Sequence, residues 1–423
     1  MKALIVGNGG REHALAWALL QSPNVERVFC TPGNGGTATL ENCQNLPFAV
    51  DDFPGIASAV REWDISLVVV GPEVPLSLGI TDYLQELDIE VFGPTKAGAK
   101  IESSKSWAKE IMLAANVPTA KSQTFNDPIA AKEYIGKEGA PIVVKADGLA
   151  AGKGVIVAQT LAEATNAVDE LLSNDFDRIV IEEYLVGEEV SVLAIADGKT
   201  IRPLLPAQDH KRIGEGDTGK NTGGMGAYAP VPIVTPELLQ RIQEEILQPT
   251  LEAFNERGID YRGVLYAGLM ISPTGEPKII EFNCRFGDPE TQVVLPLLAT
   301  PLDELLIACV RQELDKQPPI QWRSGSAVCV IAASGGYPDA YEKGKVITGT
   351  SEATAKGAIV FHAGTKLAAE QILTNGGRVL AITAVAENFD RAISLTYNAV
   401  NSIQFAKMYY RRDIGHRYQS DRH

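Results

Sequence analysis

Short apolar runs alternate with helical patterns over the first hundred residues. The runs read KALIVG from residue 2, VERVFC from residue 25, SLVVVGP from residue 66 and IEVFGP from residue 89. Segments with helical spacing lie between them, such as REHALAWALLQ from residue 11. Strands linked by helices predict a doubly wound parallel sheet over residues 1–104. Ligands of such sheets bind beyond the carboxyl ends of the strands.

A different pattern begins after residue 104. The helical segment SKSWAKEIMLAAN leads to Val117-Pro118, and a residue before proline favours extended backbone. Residues 120–195 show strand pairs joined by short turns and a helix near 161–172, which predicts a small α+β unit with antiparallel pairs. A stretch rich in Gly, Pro and Asp over 200–232 has little periodicity, as functional or disordered loops do.

The last part of the chain begins again with strand signals. The run AVCVIAASGGYP starts at residue 327, and the segment LTYNAVNSIQFAKM over 395–408 predicts a terminal helix. We therefore expect an N-terminal domain over 1–104, a central unit over 105–327 with a lid at about 120–190, and a C-terminal domain over 328–423. The length of 423 residues suits several domains of roughly 100 to 200 residues each.

Composition excludes several classes of protein. The net charge of −15 argues against a nucleic-acid partner, because such binding depends on lysine and arginine. No apolar run in the sequence approaches the roughly 18 residues that span a bilayer, so no membrane partner is expected. Five cysteines without metal spacing favour reduced thiols and a cytoplasmic protein. We expect a monomer.

The first strand ends in a glycine-rich turn. The turn Gly7-Asn-Gly-Gly-Arg-Glu12 resembles a dinucleotide fingerprint, but Glu12 stands where the third glycine belongs, and the second strand ends at Cys30 instead of an acid. NAD binding is therefore not expected. The turn offers N–H groups at a helix N-terminus, with Arg11 as a counter-charge, which suits a phosphate. A tight turn without a ligand is the alternative.

A second glycine-rich turn, Lys145-Ala-Asp-Gly-Leu-Ala-Ala-Gly-Lys-Gly154, lies between two predicted strands. It is not a P-loop, because the spacing is one residue short and a strand follows in place of a helix. Such a hairpin can fold over a triphosphate with its N–H groups, while Lys145 on the preceding apolar strand neutralises charge. The alternative is a surface hairpin with solvated lysines.

Two further segments carry weaker signals. Residues 179–191 run from a buried strand into acidic residues, so the backbone could bind an adenine edge and a carboxylate the ribose, although such acids are usually solvated. The loop over 208–226 combines Lys211-Arg212 with four glycines and could bind a phosphorylated substrate through its N–H groups. A disordered loop is the alternative there. His210 is not expected to bind a metal, because no other histidine lies near it in sequence.

The strongest signal is the stretch Lys278-Ile-Ile-Glu-Phe-Asn-Cys-Arg-Phe-Gly-Asp-Pro-Glu290. Alternate side chains of a strand share a face, so Glu281, Asn283 and Arg285 are expected to project together, with about 6.7 Å from each residue to the next. Two oxygen ligands suit Mg²⁺ and the phosphate that it carries, and a guanidinium can stabilise a phosphoryl group in transfer. An exposed polar strand face is the alternative.

Together these stretches resemble the ATP-grasp superfamily and, within it, the phosphoribosylamine–glycine ligase family along the whole chain. The stretches that carry the resemblance are Gly9–Ala14, Gly71–Glu73, Gly93–Thr95, Ser104-Lys105, Lys145–Lys153, Gln208–Arg212, Asn221–Tyr228 and Glu281–Glu290. The resemblance implies an α/β protein of ATP-grasp fold: an N-terminal domain with a doubly wound parallel sheet, an α+β ATP lid, a central catalytic domain and a C-terminal domain. It also implies an ADP-forming ligase that joins glycine to 5-phosphoribosylamine through glycyl phosphate, in de novo purine biosynthesis.

The resemblance further implies roles by position. Residues expected to bind ATP are Lys105, Lys145, Gly148, Gly152, Lys153, Gly154, Glu182, Glu183, Tyr184, Leu185 and Glu189. Glu281 and Asn283 would hold Mg²⁺ or Mn²⁺, and Arg285 and Lys145 would act in catalysis. Residues expected to bind glycine or phosphoribosylamine are Gly9, Gly10, Arg11, Glu73, Lys211, Asp217, Asn221, Gly223, Gly224, Met225, Arg285, Gly287 and Asp288. The strand Leu265-Tyr-Ala-Gly-Leu-Met270 lacks a second acid that many superfamily members carry, which leaves the number of metals open.

Two other functions stay open at this point. One is a different ATP-grasp purine enzyme that uses bicarbonate or formate in place of glycine. The other is a nucleotide-binding regulator that kept the fold without the chemistry, although Lys105, Lys145, Glu281, Asn283 and Arg285 argue against it.

Overall fold

A computed structural model describes residues 1–150, 154–173 and 176–420 of the chain. Gly152 and Lys153, which were predicted to bind ATP, lie outside the described residues. Among the described residues, no helix combines the length and the apolar character needed to cross a membrane.

The N-terminal unit is a five-stranded sheet with helices packed against it. Its strands are β1 (Lys2–Gly7), β2 (Arg27–Pro32), β3 (Cys43–Asn45), β4 (Leu67–Val70) and β5 (Val91–Phe92), and its helices are α1 (Gly10–Leu20), α2 (Phe53–Glu62), α3 (Glu73–Leu78), α4 (Ile80–Gln85) and α5 (Lys96–Ser103). The strands pair in parallel in the order β3-β2-β1-β4-β5. The central strand β1 is buried from Ala3 to Val6, which explains its continuous apolar run. The predicted doubly wound parallel sheet is confirmed.

The lid follows a short connecting helix. The connecting helix is α6 (Lys105–Ala114). The lid elements are β6 (Ser122–Phe125), α7 (Pro128–Glu138), β7 (Ile142–Ala146), β8 (Val155–Ala158), α8 (Leu161–Ser173) and β9 (Ile179–Glu183). The strands form an antiparallel sheet in the order β6-β9-β7-β8, as the sequence predicted. The buried apolar residues of the lid make up their own cluster, separate from the two clusters of the rest of the chain. The lid therefore has a hydrophobic core of its own.

The central unit is built on a second antiparallel sheet. The strands are β10 (Glu188–Asp197), β11 (Ile201–Pro203), β12 (Gln208–Asp209), β13 (Arg212–Gly214), β14 (Thr218–Asn221), β15 (Gly226–Ala229), β16 (Arg262–Ile271) and β17 (Pro277–Asn283). The helices are α9 (Pro236–Ile242), a π-helical turn (Gln243–Leu247), α10 (Gln248–Glu256), α11 (Thr291–Leu297), α12 (Leu302–Val310) and a 3₁₀ turn (Leu314–Lys316). The sheet order is β11-β10-β16-β17, and β13 and β14 form a hairpin. Residues 200–232 thus contain strands that are too short to show a period.

The C-terminal sheet includes strands from the central unit. The remaining elements are β18 (Ser326–Ser334), α13 (Thr350–Ala355), β19 (Ile359–His362), β20 (Thr365–Ala368), β21 (Gln371–Thr374), β22 (Arg378–Ala386), α14 (Phe389–Val400), β23 (Met408–Tyr409) and α15 (His416–Ser420). The order β12-β15-β18-β22-β19 places residues 208–209 and 226–229 in the same sheet as the C-terminal strands. Backbone pairing therefore joins the central loop region to the C-terminal part.

The predicted terminal helix over 395–408 is wrong at both ends. Helix α14 begins earlier, because the Asn388 side chain accepts a hydrogen bond from the N–H of Arg391 at 2.9 Å and caps the helix. The helix ends at Val400. The apolar residues Ile403 and Phe405 are buried although they lie beyond the helix. Tertiary burial, not helical periodicity, accounts for the apolar positions after residue 400.

Candidate active site

Strand β17 carries Glu281 and Asn283, and it contains a β-bulge just before these two residues. Gly268 of β16 pairs with Glu281 while Leu269 pairs with Ile279, so Ile280 is an extra residue. The bulge breaks the alternation, and both Ile280 and Glu281 are partly exposed. The carbonyl of Ile280 accepts a hydrogen bond from Lys145 Nζ at 2.9 Å. The irregularity in the strand therefore binds the predicted catalytic lysine of the lid.

The Glu281 carboxylate lies among cationic side chains. Its side chain is 35% exposed, and Oε1 is 4.0 Å from Lys211 Nζ. Burial alone would raise its pKa, but the charges of Lys211, Lys145 and Lys105 outweigh burial and lower it. A Cβ on Gly268 would lie 3.3 Å from Glu281 Cγ, so the neighbouring strand leaves room for this carboxylate. Glu281 is thus an ionised oxygen ligand beside three lysines.

Arg285 lies beyond the end of β17 and reaches back towards it. The expectation that Glu281, Asn283 and Arg285 share one strand face is wrong for Arg285, because the strand ends at Asn283. Nη2 of Arg285 donates to Asn283 Oδ1 at 3.3 Å, which still brings the guanidinium beside the second predicted metal ligand. The contact depends on the turn after the strand and not on strand periodicity.

Two carboxylates hold this guanidinium. Glu102 Oε1 accepts from Nη2 at 2.9 Å, and Glu73 Oε2 lies 3.4 Å from Nε. Burial raises the pKa of Glu102. Burial would also raise the pKa of Glu73, but the charges of Arg285 and Arg11 outweigh it, so the pKa of Glu73 is lowered. Glu73 was predicted at a substrate position, but Glu102 was not predicted. The signal in the sequence that could have indicated Glu102 is its position just before Ser104-Lys105.

Lys145 belongs to a buried cluster of two lysines and one glutamate. Glu182 Oε2 lies 2.9 Å from Lys145 Nζ, and Oε1 lies 3.3 Å from Lys109 Nζ. All three side chains are at most 6% exposed. Lys109 was not predicted, and burial lowers its pKa. The cluster fixes the ammonium of Lys145 at the junction of lid and central sheet.

Glu182 and Glu183, which were predicted to bind ATP, both have partners within the protein. Glu182 was expected to meet the adenine, but its carboxylate binds lysines, and strands β6 and β7 flank its backbone on both edges. Glu183 pairs with Lys278 at 3.1 Å, and its N–H donates to Lys121 O. Tyr184 and Leu185 follow the end of the strand, and Tyr184 is exposed. The contact of residues 182–185 with the adenine stays a prediction.

The glycine-rich turn of the lid is tied to helix α6. Lys105 Nζ donates to the carbonyl of Gly148 at 2.9 Å, and burial lowers the pKa of this lysine. Asp147 accepts from the N–H of Ser106 at 3.1 Å and from its hydroxyl at 2.6 Å. The carbonyl of Gly154 accepts from the N–H of Ala146 at 2.7 Å. Lys105 and the lid turn thus lie together, as the ATP prediction requires.

The glycine loop after β14 does not present its N–H groups to the cleft. The N–H of Gly223 donates to Tyr337 Oη at 3.1 Å, that of Gly224 to Thr222 Oγ1 at 3.0 Å, and that of Met225 to His210 O at 2.8 Å. Met225 is fully buried. Each of these N–H groups already donates within the protein, so their hydrogen bonds lend no support to the predicted phosphate contact, which stays a prediction.

Lys211 and Asp217 also have protein partners. Lys211 Nζ lies 2.8 Å from Glu189 Oε2, and this lysine lowers the pKa of the glutamate. Asp217 binds Arg411 at 2.9 Å and Arg417 at 2.8 Å, near the C-terminus. The residues predicted for this loop therefore lie in two different places. Lys211 lies beside the site, whereas Asp217 anchors the hairpin that ends at Asn221.

The first glycine-rich turn is occupied by its own glutamate. Glu12 Oε2 accepts from the N–H of Gly9 at 2.6 Å, and its carboxylate fills the space beside Gly7 and Gly71. This explains why a glutamate replaces the third glycine of a dinucleotide fingerprint. It also removes one of the N–H groups that were expected to bind a phosphate.

The same turn faces residues 286–288. Nη1 of Arg11 donates to Phe286 O at 3.0 Å, and a Cβ on Gly9 would lie 3.4 Å from Asp288 Oδ2. A Cβ on Gly10 would meet the amide of Gln292. These close approaches explain why small residues stand at positions 9 and 10, and they bring the predicted substrate residues Gly9, Arg11 and Asp288 together.

The donor set at β17 fits a magnesium ion. Glu281 and Asn283 offer a carboxylate and an amide oxygen, which Mg²⁺ accepts alongside water and phosphate oxygens. Within the described ranges, no group of three or more His, Cys, Asp or Glu side chains has the arrangement of a metal site. The surrounding lysines also suit a ligand with several negative charges.

Three family models match successive parts of the chain. The phosphoribosylglycinamide synthetase N domain matches residues 1–102, the ATP-grasp (A) domain matches 103–291, and the C domain matches 327–417. The first and third segments correspond to the N-terminal and C-terminal units, and the second covers the lid together with most of the central unit.

Named relatives and solved structures are similar along nearly the whole chain. A phosphoribosylamine–glycine ligase from Nostoc sp. is 63% identical over 99% of this chain and 100% of its own length, and one from Synechocystis sp. is 61% identical with the same coverage. The crystal structure of that enzyme from Thermotoga maritima has a TM-score of 0.84 at 34% identity, covering 98% of this chain and 100% of its own. A biotin carboxylase from Campylobacter jejuni has a TM-score of 0.72 at 15% identity, covering 97% of this chain and 92% of its own, and shares the fold. The predicted ATP-grasp fold is confirmed.

Proposed function

Because the chain belongs to the phosphoribosylglycinamide synthetase family and is an ATP-grasp ligase that joins glycine to phosphoribosylamine in purine biosynthesis, we propose that its chemistry takes place where the lid meets β17. The observation that supports this most directly is the convergence of Lys145, Glu281 and Arg285 within one region contributed by two parts of the chain, the lid and the segment 281–285.

Lys105 and Lys145 would bind the phosphates of ATP. Both ammonium groups lie at the contact between lid and central sheet, Lys105 on Gly148 O and Lys145 on Ile280 O. Incoming phosphate oxygens would replace these carbonyl contacts with stronger, charge-assisted ones. Glu182 would keep Lys145 in place throughout, because it binds the same ammonium from the buried side.

Glu281 and Asn283 would hold Mg²⁺ or Mn²⁺. A bound ion would offset the negative charge of the ATP phosphates during transfer. The Glu281 carboxylate suits this role because the neighbouring lysines keep its pKa low and the group ionised. Asn283 would add a neutral oxygen, and its contact with Arg285 would keep the guanidinium beside the transferred group.

The reaction would proceed in two displacements. A glycine carboxylate oxygen attacks the γ-phosphorus, the bond to ADP breaks, and glycyl phosphate forms. The nitrogen of phosphoribosylamine then attacks the carbonyl carbon, loses a proton, and expels phosphate. Holding the reactants in one cleft can lower barriers by roughly 7 to 11 kcal/mol. Arg285 would stabilise the negative charge that develops in both steps.

The test is ADP release by the purified chain with glycine and phosphoribosylamine generated in the assay. We expect ADP formation that requires both substrates, and a large loss in Glu281→Ala. Glu276→Ala is the matched control, since Glu276 is an exposed residue just before β17 with an ion pair to Arg241. Equal activity with formate or bicarbonate in place of glycine would refute the proposal.

Location and assembly complete the proposal. The five cysteines are free thiols, which supports the reducing environment of the cytoplasm. We propose a monomer, and light scattering of the purified chain at assay concentration tests it. A mass of twice that of one chain would contradict it.

A further inference from the structure

Arg378 connects two predicted substrate segments from the C-terminal part of the chain. It is the first residue of β22, and its Nη1 donates to the carbonyls of Gly223, Gly224 and Asp288. The distances to Gly224 O and Asp288 O are 3.4 and 2.7 Å. A single guanidinium nitrogen thus joins the glycine loop after β14 to the turn after β17.

The same guanidinium orients the carboxylate of Asp288. Nη2 of Arg378 lies 3.4 Å from Asp288 Oδ1, which also accepts from Gln292 Nε2 at 2.8 Å. The other oxygen, Oδ2, faces the Gly9 turn. Burial alone would raise the pKa of Asp288, but Arg378 and Arg11 outweigh it and lower the pKa. Asp288 is therefore an ionised acceptor with one oxygen anchored and the other turned towards the N-terminal unit.

The glycine loop has a second anchor in the C-terminal part. The N–H of Gly223 donates to Tyr337 Oη, and the Tyr337 ring packs closely against Gly377, next to Arg378. Arg378 is 20% exposed at its side chain, so the contacts lie at the edge of the cleft and not in the core. The position of residues 223–224 relative to Asp288 therefore depends on β22.

We propose that Arg378 is a positioning residue for the acceptor substrate, holding Asp288 and the Gly223–Gly224 turn in the relative placement that binds phosphoribosylamine. This inference rests on the proposed function. An ionised carboxylate attracts amine and hydroxyl donors and repels phosphate, so Asp288 suits the amine and hydroxyl groups of phosphoribosylamine and not the phosphates of ATP. Lys105, Lys145 and Glu281, which are assigned to ATP and metal, make no contact with Arg378 in the structure's described part. The effect of Arg378 should consequently fall on one substrate.

The test compares KM values for three substrates in Arg378→Met and Arg378→Lys. Losing charge-assisted hydrogen bonds worth roughly 1.5 to 3 kcal/mol should lower kcat/KM for phosphoribosylamine about 10- to 100-fold. The KM values for ATP and glycine should change less than threefold. A lysine ammonium cannot bridge the acceptors as a planar guanidinium does, so Arg378→Lys should show an intermediate loss. Ethylguanidinium added to Arg378→Ala should restore part of the acceptor kcat/KM.

Arg202→Met is the matched control. Arg202 donates to the carbonyls of Gln317 and Pro318 at 2.6 and 2.7 Å, on the β11 edge of the central sheet, which is opposite β17. We expect this variant to keep all three KM values. Calorimetric binding of glycinamide ribonucleotide, the stable product, gives a readout without turnover, and its affinity should fall in Arg378→Lys but not in Arg202→Met.

The outcomes separate the inference from the proposed function. Acceptor KM and product affinity within twofold of the parent in Arg378→Lys, or an equal rise in all three KM values, would overturn the role of Arg378 while leaving the function intact. If Arg378→Met does not fold, Arg378→Lys and the product-binding measurement decide the question. A parent chain without glycine-dependent ADP release would instead refute the function.

Discussion

Arg285 Nη2 donates to Glu102 Oε1 at 2.9 Å, across the junction between the N-terminal helix α5 and the turn after β17. The other Glu102 oxygen accepts from the N–H of Cys284 at 2.8 Å. Glu102 therefore holds both the charge and the backbone of the segment that carries the predicted catalytic arginine.

Glu102→Gln should impair this arrangement more than an exposed pair would suggest. The amide of glutamine has one acceptor oxygen and cannot serve both partners. Either the Cys284 N–H or the guanidinium then faces an NH₂ group, and the guanidinium loses the charge of Glu102. Breaking a buried pair typically costs about 3 to 5 kcal/mol of folding free energy, and we expect the lower end of that range together with at least a tenfold loss of kcat. Urea unfolding and steady-state assays measure both.

The matched control for Glu102 is Glu90→Gln. Glu90 binds Arg311 at 2.8 Å, but both side chains are about a third exposed or more. Exposed pairs contribute only about 0 to 1 kcal/mol, so stability and kcat should hardly change. Equal losses in the two variants would show that Glu102 has no special role.

Glu182→Gln should weaken ATP binding. Two lysines, Lys145 and Lys109, would then share a buried site without a carboxylate, and Lys145 would retain its contact with Ile280 O alone among those described. We expect the KM for ATP to rise about 10-fold or more while the KM for glycine is kept. Glu138→Gln, in the lid but paired with Lys121 at the surface, is the control and should stay within twofold. An unchanged KM for ATP in Glu182→Gln would contradict the positioning of Lys145.

Glu281→Gln should raise the Mg²⁺ concentration needed for half-maximal rate. The amide keeps an oxygen ligand but loses the negative charge, so the metal is held less firmly by the protein. We expect about a 10-fold shift in the Mg²⁺ titration at fixed ATP, with part of the maximal rate regained at high metal concentration. Glu276→Gln serves as the exposed control. Identical metal curves for parent and Glu281→Gln would exclude Glu281 as a ligand.

His13 should make the chain less stable in acid. Its Nδ1 accepts the N–H of His362 at 2.8 Å, which joins α1 to β19. Burial, followed by the charge of His362, lowers the pKa of His13 to about 3. The folded pKa lies below the unfolded value of about 6.5, so the stabilisation is complete above pH 6.5 and is lost as the pH falls towards 3.

His13→Asn tests this pH dependence. The asparagine oxygen can accept the same N–H without titrating, so the slope of unfolding free energy against pH should fall by up to about 1.4 kcal/mol per pH unit between pH 6 and 4. The packing cost of the substitution is measured separately at pH 8, where His13 is neutral in both states. A slope equal to that of the parent would show that His13 does not titrate on unfolding.

The sequence predicted the elements whose signals are local. Strand β1 and the lid strands have apolar runs of the right length, and the turns after β1 and β7 contain the glycines that close turns require. Glu281 and Asn283 were predicted from their spacing, which survives because they lie on one strand after the bulge. Patterns of this kind need only the neighbours in the chain.

Other features required the packed structure. Glu182 was predicted as an adenine contact, yet it binds Lys145 and Lys109, because β6 and β7 enclose its strand. The glycine loop at 223–225 looked like a phosphate site, but its N–H groups donate to protein acceptors, one of them on Tyr337. In each case the deciding partner lies on another strand or in another unit of the chain.

The sequence by itself determined which strands, turns and charged residues this protein has, because hydrophobic period, glycine positions and residue spacing act over a few neighbouring residues. Only the tertiary structure decided how the charges pair. Arg285 meets Glu102 at a separation of 183 residues, and Arg378 meets Asp288 at 90. Partners so distant are set by the packing of whole sheets and helices, whose side-chain contacts leave no periodic pattern along the chain.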